Sequence, residues 1–298
     1  MTTAAVLDEI DRIHDDQPEA AGAALRAFDA AGLPVDRLPL LAFLTIHVLG
    51  EKLGQWSEAA DRLERLLATR PDAPLAVLAH AAAAAHLAGR TENQPLAALS
   101  PAGGAMQAQL LVALSALGLR PPPEPAALAA GLARLAHESR GFDPGGPLDE
   151  RLAIGFNNTT SRLLDLTLAP VDPEVRTALL AGSAAALRFW EAAGTWVHLE
   201  RALYLRALVH NRIDEPAAAR ADCVRALEVI AANGSEEIDQ AFLQLQLAGA
   251  LLRLGEIIEG QRHLAEARAA ADRWDDAGLR SWFAGEHDRL FGSAEKRA

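Results

Sequence analysis

Apolar residues recur along this chain at the three-and-four spacing of helices, in segments cut by Gly and Pro, with little of the alternation expected of strands. Val6, Ile10 and Ile13, then Leu25 and Phe28, predict two helices, the second starting near Pro18 and ending at Gly32. Leu38 to Leu53 and Ser57 to Ala68 predict a further pair, joined at Gly54 and stopped by Pro71; Leu75 to Leu87 opens a third, closed at Gly89. Pro95, Pro101, Gly103 and Gly104 then interrupt the pattern ahead of a helix from about Met106 to Leu117. The run Pro121-Pro122-Pro123-Glu124-Pro125 predicts extended chain, because proline lacks a donor and disfavours helix in its predecessor. A short helix near Ala126 to Glu138 leads into a loop from Arg140 to Pro147. Seven helices follow, from about Leu148 to Leu168, Pro173 to Ala193, Trp196 to Arg212, Ala217 to Ala232, Glu236 to Leu254, Ile257 to Arg273 and Leu279 to Phe291. The expected organisation is an N-terminal helical-hairpin lobe over 1–120, a Pro/Gly-rich connecting segment over 121–147 and a C-terminal lobe over 148–298, with Trp274, Trp282 and Phe283 in or beside a closing helix.

One skeleton recurs within this pattern. Gly54-Gln55-Trp56-Ser57-Glu58-Ala59, continued by Leu63, Leu66 and Pro71, returns at Gly255, Ile257, Gly260, Leu264 and Ala267, and more faintly at Asp214, Pro216, Ala219, Cys223 and Ala226. A Gly opens the turn, a bulky residue follows two places later, and a small residue sits where two helices touch. This skeleton resembles the tetratricopeptide repeat. The chain departs from it at Asp214, where Gly is usual, at Asp272 and Ala231, where Pro is usual, and at His47, where a small residue is usual. Asp214 and Gly255 are 41 residues apart, against about 34 in the family. The resemblance implies an all-α fold of stacked antiparallel hairpins, an α-solenoid in two lobes, that serves as a docking surface.

Composition narrows the class. Half of the residues are hydrophobic but only 5% are aromatic, so Ala and Leu dominate the core, which suits close helix packing. A net charge of −12 disfavours nucleic acid and anionic lipid, both of which attract basic clusters. The longest apolar stretch, Leu75 to Leu87, is broken by His80 and His86 and is shorter than the roughly 20 residues of a spanning helix, so no membrane partner is expected. The N-terminus lacks a basic leader and Cys223 has no partner for an internal disulfide, which favours a cytoplasmic location; the richness in Ala, Arg and Leu is of bacterial type.

Candidate chemistry concentrates in Phe189 to Tyr204, which holds two of five Trp and the single Tyr. Trp196, Glu200 and Tyr204 share a helix face and Arg201 lies one position around it. By the resemblance, the first helix of each hairpin lines a concave groove, which puts Arg201, Tyr204, Leu208, Asn211 and Arg212 on the groove side, with Phe242, Leu245, Gly249, Leu252 and Arg253 as its next, more apolar strip. Arg beside an aromatic floor suits a ligand with a carboxylate and an apolar part. The alternative is that Glu200 and Arg201 pair with neighbouring helices and the aromatics are packing. Asn157 and Asn158 are poor helix formers inside a predicted helix; they face the same groove or mark a helix break at Gly155.

Enzyme signatures are absent at the level of motif. His47 and Glu51 lie four apart, as do Glu259 and His263, but no segment supplies His-Glu-x-x-His or a Cys pair, and His137-Glu138 lacks a second His. There is no Gly-x-Ser-x-Gly elbow, no phosphate loop and no dinucleotide fingerprint, and Cys223 reads as a packed thiol. No metal, cofactor or catalytic residue is therefore expected. The leading expectation is a non-catalytic helical-repeat adaptor that binds a protein or peptide with an acidic group on the concave face of its C-terminal lobe. Two others stand beside it: an enzyme or small-molecule sensor with a pocket between the lobes near Asn157, Arg201 and Tyr204, and a homodimer whose groove is filled by its own partner chain.

Overall fold

The computed structural model describes residues 2–119, 124–167 and 170–295. Among these every regular element is a helix, and no strand occurs. The extended run expected at 121–123 and the helix end expected at Leu168 lie outside the described residues. Contacts divide the chain into two compact units, Met1–Gly155 and Phe156–Ala298.

The N-terminal unit begins with α1 (Thr3–Ile13), capped by the Thr2 hydroxyl, and α2 (Pro18–Ala27). Then come α3 (Leu38–Leu44), continued directly by a π-helical segment (Thr45–Lys52), and α4 (Trp56–Thr69) and α5 (Leu75–Leu87). Their apolar faces meet in one core of Leu7, Ile10, Leu25, Leu38, Leu49, Leu63 and Val77. Burying each such side chain stabilises by roughly 1.5–3 kcal/mol relative to exposure. Arg62 donates to the Phe28 carbonyl at 2.7 Å, which satisfies the frayed end of α2. Helix α5 is packed by α3 and α4 and by the two helices that follow it. Its unbroken run Ala81 to Ala85 is buried on every side, since only a residue without side-chain bulk admits several backbones at once.

The segment read as an interruption is helical. Helix α6 (Gln94–Gly103) forms because the Asn93 side chain accepts from the Leu96 amide at 2.9 Å and Pro95 fits the first turn. Pro101 sits in its last turn, and Gly104, at φ +86°, ends it. Helices α7 (Ala105–Leu119) and α8 (Pro125–Glu138) follow. In the loop behind α8, the buried Asp149 accepts from the amides of Gly145 and Gly146, the latter at 2.9 Å. The expected boundary at 121–147 and the observed division after Gly155 differ because this stretch packs on the N-terminal unit. A Cβ on Gly131 would meet Leu117, and one on Gly155 would meet Leu114 at 2.7 Å.

Helix α9 (Asp149–Leu166) runs through that division without a break, so the helix break considered at Gly155 does not occur. Gly155 is accounted for by the approach of Leu114. The C-terminal unit continues with α10 (Pro173–Ala193), α11 (Trp196–Arg212), α12 (Pro216–Asn233), α13 (Glu237–Arg253), α14 (Ile257–Ala271) and α15 (Ala277–Glu295). Consecutive helices from α10 to α14 pack on one another, and α15 packs on α13.

Four turns share one construction. Gly54, Gly89, Asp214 and Gly255 all hold a left-handed backbone, with φ between +62° and +82°. The next amide returns to a carbonyl of the preceding last turn: Arg90 to Ala85 at 3.1 Å, Glu215 to His210 at 2.8 Å and Glu256 to Leu251 at 3.0 Å. At the end of the π-helical segment the same bond reaches one residue further, from Gln55 to Leu49 at 2.6 Å. Ala59, Ala219 and Gly260 are buried in the helices after three of these turns.

Two substitutions test the construction. Asp214 is the one described residue other than Gly in the left-handed region, a conformation that costs a side-chain-bearing residue roughly 1–2 kcal/mol and Asp or Asn less. Asp214→Gly is expected to raise the melting temperature by a few degrees and Asp214→Val to lower it. At Gly50 an added Cβ would overlap the six-membered ring of Trp56. Gly50→Ala should therefore destabilise by about 1–3 kcal/mol in denaturant unfolding, despite the better helix propensity of Ala.

Candidate functional site

A pocket of about 740 Å³ lies within the C-terminal unit. Its walls come from alternate helices: Asn157 and Asp165 of α9, Arg201 and Tyr204 of α11, Asp239 and Arg253 of α13, and Trp282 and Arg289 of α15. Helices α10, α12 and α14 contribute no lining residue. The start of α11 is set locally by a capping box, in which the Thr195 side chain accepts from the His198 amide and His198 Nδ1 accepts from the Thr195 amide at 3.1 Å. The His198 ring stacks on Trp190, 4.3 Å between centroids, which holds the corner between α10 and α11.

A buried polar chain crosses the floor. Asn211 Nδ2 donates to Gln246 Oε1 at 2.9 Å, and Gln246 Nε2 reaches Glu286 Oε2 at 3.4 Å. The Asn211 amide oxygen and the Tyr204 hydroxyl find no hydrogen-bond partner among the described residues, although both are buried. Burial raises the Tyr204 phenol well above its usual range, so it is a neutral donor. Burial also raises the Glu286 carboxyl, against the pull of Arg289 and Arg212.

Four guanidinium groups surround this floor. Arg201 pairs with Asp239 at 2.8 Å, and Arg289 pairs with Glu286 and, at 3.5 Å, with Asp165. Arg253 donates to the Asn211 carbonyl at 2.7 Å and has Asp214 3.8 Å away. Arg212 differs from the others: it donates to the carbonyls of Leu164 and Thr167, and no carboxylate among the described residues forms an ion pair with it. Its pKa is lowered, first by burial and then by the nearby Arg289, against the pull of Glu286 and Asp165. Carbonyls orient a guanidinium without neutralising it.

Of the eight expected site residues, Asn157, Arg201, Tyr204, Asn211 and Arg212 line this pocket. Asn158, Trp196 and Glu200 do not. Asn158 is exposed beside Asn157. Trp196 lies against Gly234. Glu200 is fully buried behind Arg201, whose Nε is 3.5 Å away; burial and then the adjacent Asp239 push its pKa up to about 9. Arg201 thus both lines the pocket and pairs across to α13.

The apolar strip expected from Phe242, Leu245, Gly249 and Leu252 is not a pocket floor. Phe283 of α15 and Trp274, in the turn before it, pack on Phe242; the α15 side chain Leu290 lies where a Cβ on Gly249 would approach it at 3.0 Å, and Leu252 lies against Gly260 of α14. Of that strip only Arg253 lines the pocket. Trp282 remains half exposed at the rim, its ring 4.3 Å from Phe242. Sequence reasoning missed Asp165, Asp239, Gln246, Glu286 and Arg289. For Glu286 and Arg289 the signal was the charged side of a closing helix otherwise read as an apolar cap; Asp165, Asp239 and Gln246 stand on α9 and α13.

Cys223 is buried and its thiol is pushed up by burial. Among the described residues one group of metal-ligating side chains converges, His14, Asp15 and His47, in the N-terminal unit. No described helix is long and apolar enough to cross a membrane. No protein-family model matches the chain, and no curated protein matches it in sequence.

The Glu200 environment has a pH signature. Its folded pKa, about 9, stands above the ordinary value of 4.5. Between those values the native state holds a proton that the unfolded chain releases, so this group lowers stability as pH rises. Glu200→Gln removes the effect. The melting temperature of the variant, relative to the parent, is expected to be higher at pH 8 than at pH 5; an equal difference at both would show that Glu200 titrates normally.

Proposed function

We propose that the chain is a non-catalytic interaction protein of tetratricopeptide-like architecture, and that its C-terminal unit binds the carboxylate end of a peptide. The architecture is supported by the repeated left-handed turns, by the small buried residues Ala59, Ala219 and Gly260, and by a pocket walled by every second helix. In a stack of hairpins the first helices form one layer, and that layer is the docking face.

The ligand class rests on Arg212. Its partly buried guanidinium is hydrogen-bonded by carbonyls; Glu286 and Asp165 act on it across space but pair with Arg289, so Arg212 lacks a directly bonded counter-charge. A carboxylate between Arg212 and Arg253 would supply that charge. The Tyr204 hydroxyl and the Asn211 amide oxygen, which have no internal partner, offer one donor and one acceptor for a terminal peptide unit. Leu208 and Trp282 provide apolar contact for the side chain. The volume suits a few residues of extended peptide rather than a helix, which is about 10–12 Å across.

A test follows from the charge. Short peptides with randomised last residues are offered as free acids and as amides, and binding is read by fluorescence anisotropy. Free acids are expected to bind and their amides to lose about 1.5–3 kcal/mol, roughly ten- to a hundredfold. Arg253→Ala should weaken binding similarly with an unchanged circular dichroism spectrum. Equal binding of acids and amides would refute the assignment.

A further inference from the structure

His14, Asp15 and His47 come from two different elements, the end of α1 and the π-helical segment. Their ligand atoms lie within 4.8 Å of one another. His14 Nε2 is 3.4 Å from Asp15 Oδ2, and His47 Nε2 is 3.4 Å from Asp15 Oδ1. In a tetrahedral site with bonds of about 2.0–2.1 Å, ligand atoms stand roughly 3.3–3.4 Å apart. The imidazole-to-carboxylate separations already match such an edge.

The other nitrogen of each ring is also committed. His14 Nδ1 contacts the carbonyl of Asp11, and His47 Nδ1 lies 2.8 Å from Glu51 Oε2. Both partners are acceptors, which leaves each Nε2 as the ring nitrogen on the side of Asp15. The two Nε2 atoms and the Asp15 carboxylate converge, and an entering cation would replace the contacts that His47 Nε2 and Lys52 Nζ now make with Asp15 Oδ1. Holding a histidine ligand through Nδ1 to a carbonyl or carboxylate is the usual outer support of a metal site. Both rings are mostly shielded, and Phe43 stacks on His47 at 5.3 Å.

The sequence hid this site because His14 and His47 are 33 positions apart and show no ligand spacing. The π-helical stretch supplies the second half of it. Such turns are rare and often mark functional positions. Here Gly50 leaves room for the Trp56 ring.

We infer that His14, Asp15 and His47 bind a divalent first-row cation of the zinc class, which ties α1 to the π-helical segment and leaves a coordination position open. Two imidazoles and one carboxylate suit zinc, and neighbouring metals of the series that favour nitrogen. Lys52, whose Nζ is 3.0 Å from Asp15 Oδ1, competes for the carboxylate.

The experiment titrates zinc chloride into the tag-free full chain by calorimetry, with cobalt(II) absorption to report geometry. One equivalent is expected to bind, with a tetrahedral cobalt spectrum and a raised melting temperature. His47→Gln and His14→Gln should each lose at least a hundredfold in affinity. Glu51→Gln, which touches no metal, should lose about ten- to a hundredfold, whereas Lys52→Gln should bind more tightly. Circular dichroism establishes that each variant is folded. Absence of a stoichiometric site in the parent chain, or equal affinity in the folded His14→Gln and His47→Gln proteins, would overturn the assignment.

Discussion

The constraint on which the rest of the structure depends is the left-handed residue at the helix ends. A residue at φ near +60° to +80° followed by an amide that bonds back into the last turn stops one helix and releases the chain in a fixed direction. After Gly54, Asp214 and Gly255 only one further residue precedes the next helix. The new helix must then lie against the old one, and the first residues to touch must be small. Gly260 shows how tight that is: an added Cβ would lie 2.7 Å from the Leu252 side chain and 3.2 Å from its backbone nitrogen. Local backbone geometry, close packing and the facing of side chains are therefore one decision.

This explains what was legible in the sequence. Helices whose apolar spacing and turn residues agreed were readable to within a residue or two; α5 and α11, which end at left-handed turns, and α10, which ends at Gly194 in extended backbone, start and end where the pattern placed them. Helix α6 was not legible. Pro95 and Pro101 read as breakers, and only the position of Asn93, capping Leu96 and also donating to the Ala82 carbonyl at 2.8 Å, makes one a helix start and the other tolerable near a helix end. Gly155 misled in the opposite direction, since its reason lies across a packing contact with Leu114 rather than in its own backbone.

The pocket was half legible for the same reason. The resemblance put Arg201, Tyr204, Asn211 and Arg212 on one side of α11, and all four line the pocket. The charge balance could not be read, because it depends on what each guanidinium meets. Arg201 and Arg289 meet carboxylates, whereas Arg212 meets carbonyls released at the end of α9. Likewise Glu200, on the face of Tyr204 by spacing, is buried beside Asp239 and stays protonated at neutral pH. A carboxylic acid there leaves Asp239 as the charged partner of Arg201.

Helix α15 decides how much of the α13 face is left to line the pocket. Without it the face of α13 would offer Phe242 and Leu245 as a broad apolar surface, the kind that accepts an amphipathic helix. With Phe283 and Trp274 packed over Phe242, that surface is spent in the core, and α15 adds Glu286 and Arg289 to the floor. What remains combines charged groups with apolar ones such as Leu205 and Leu208, with Trp282 at its edge. Under the proposed reading, a ligand carboxylate would give Arg212 the directly bonded counter-charge that the carbonyls do not supply.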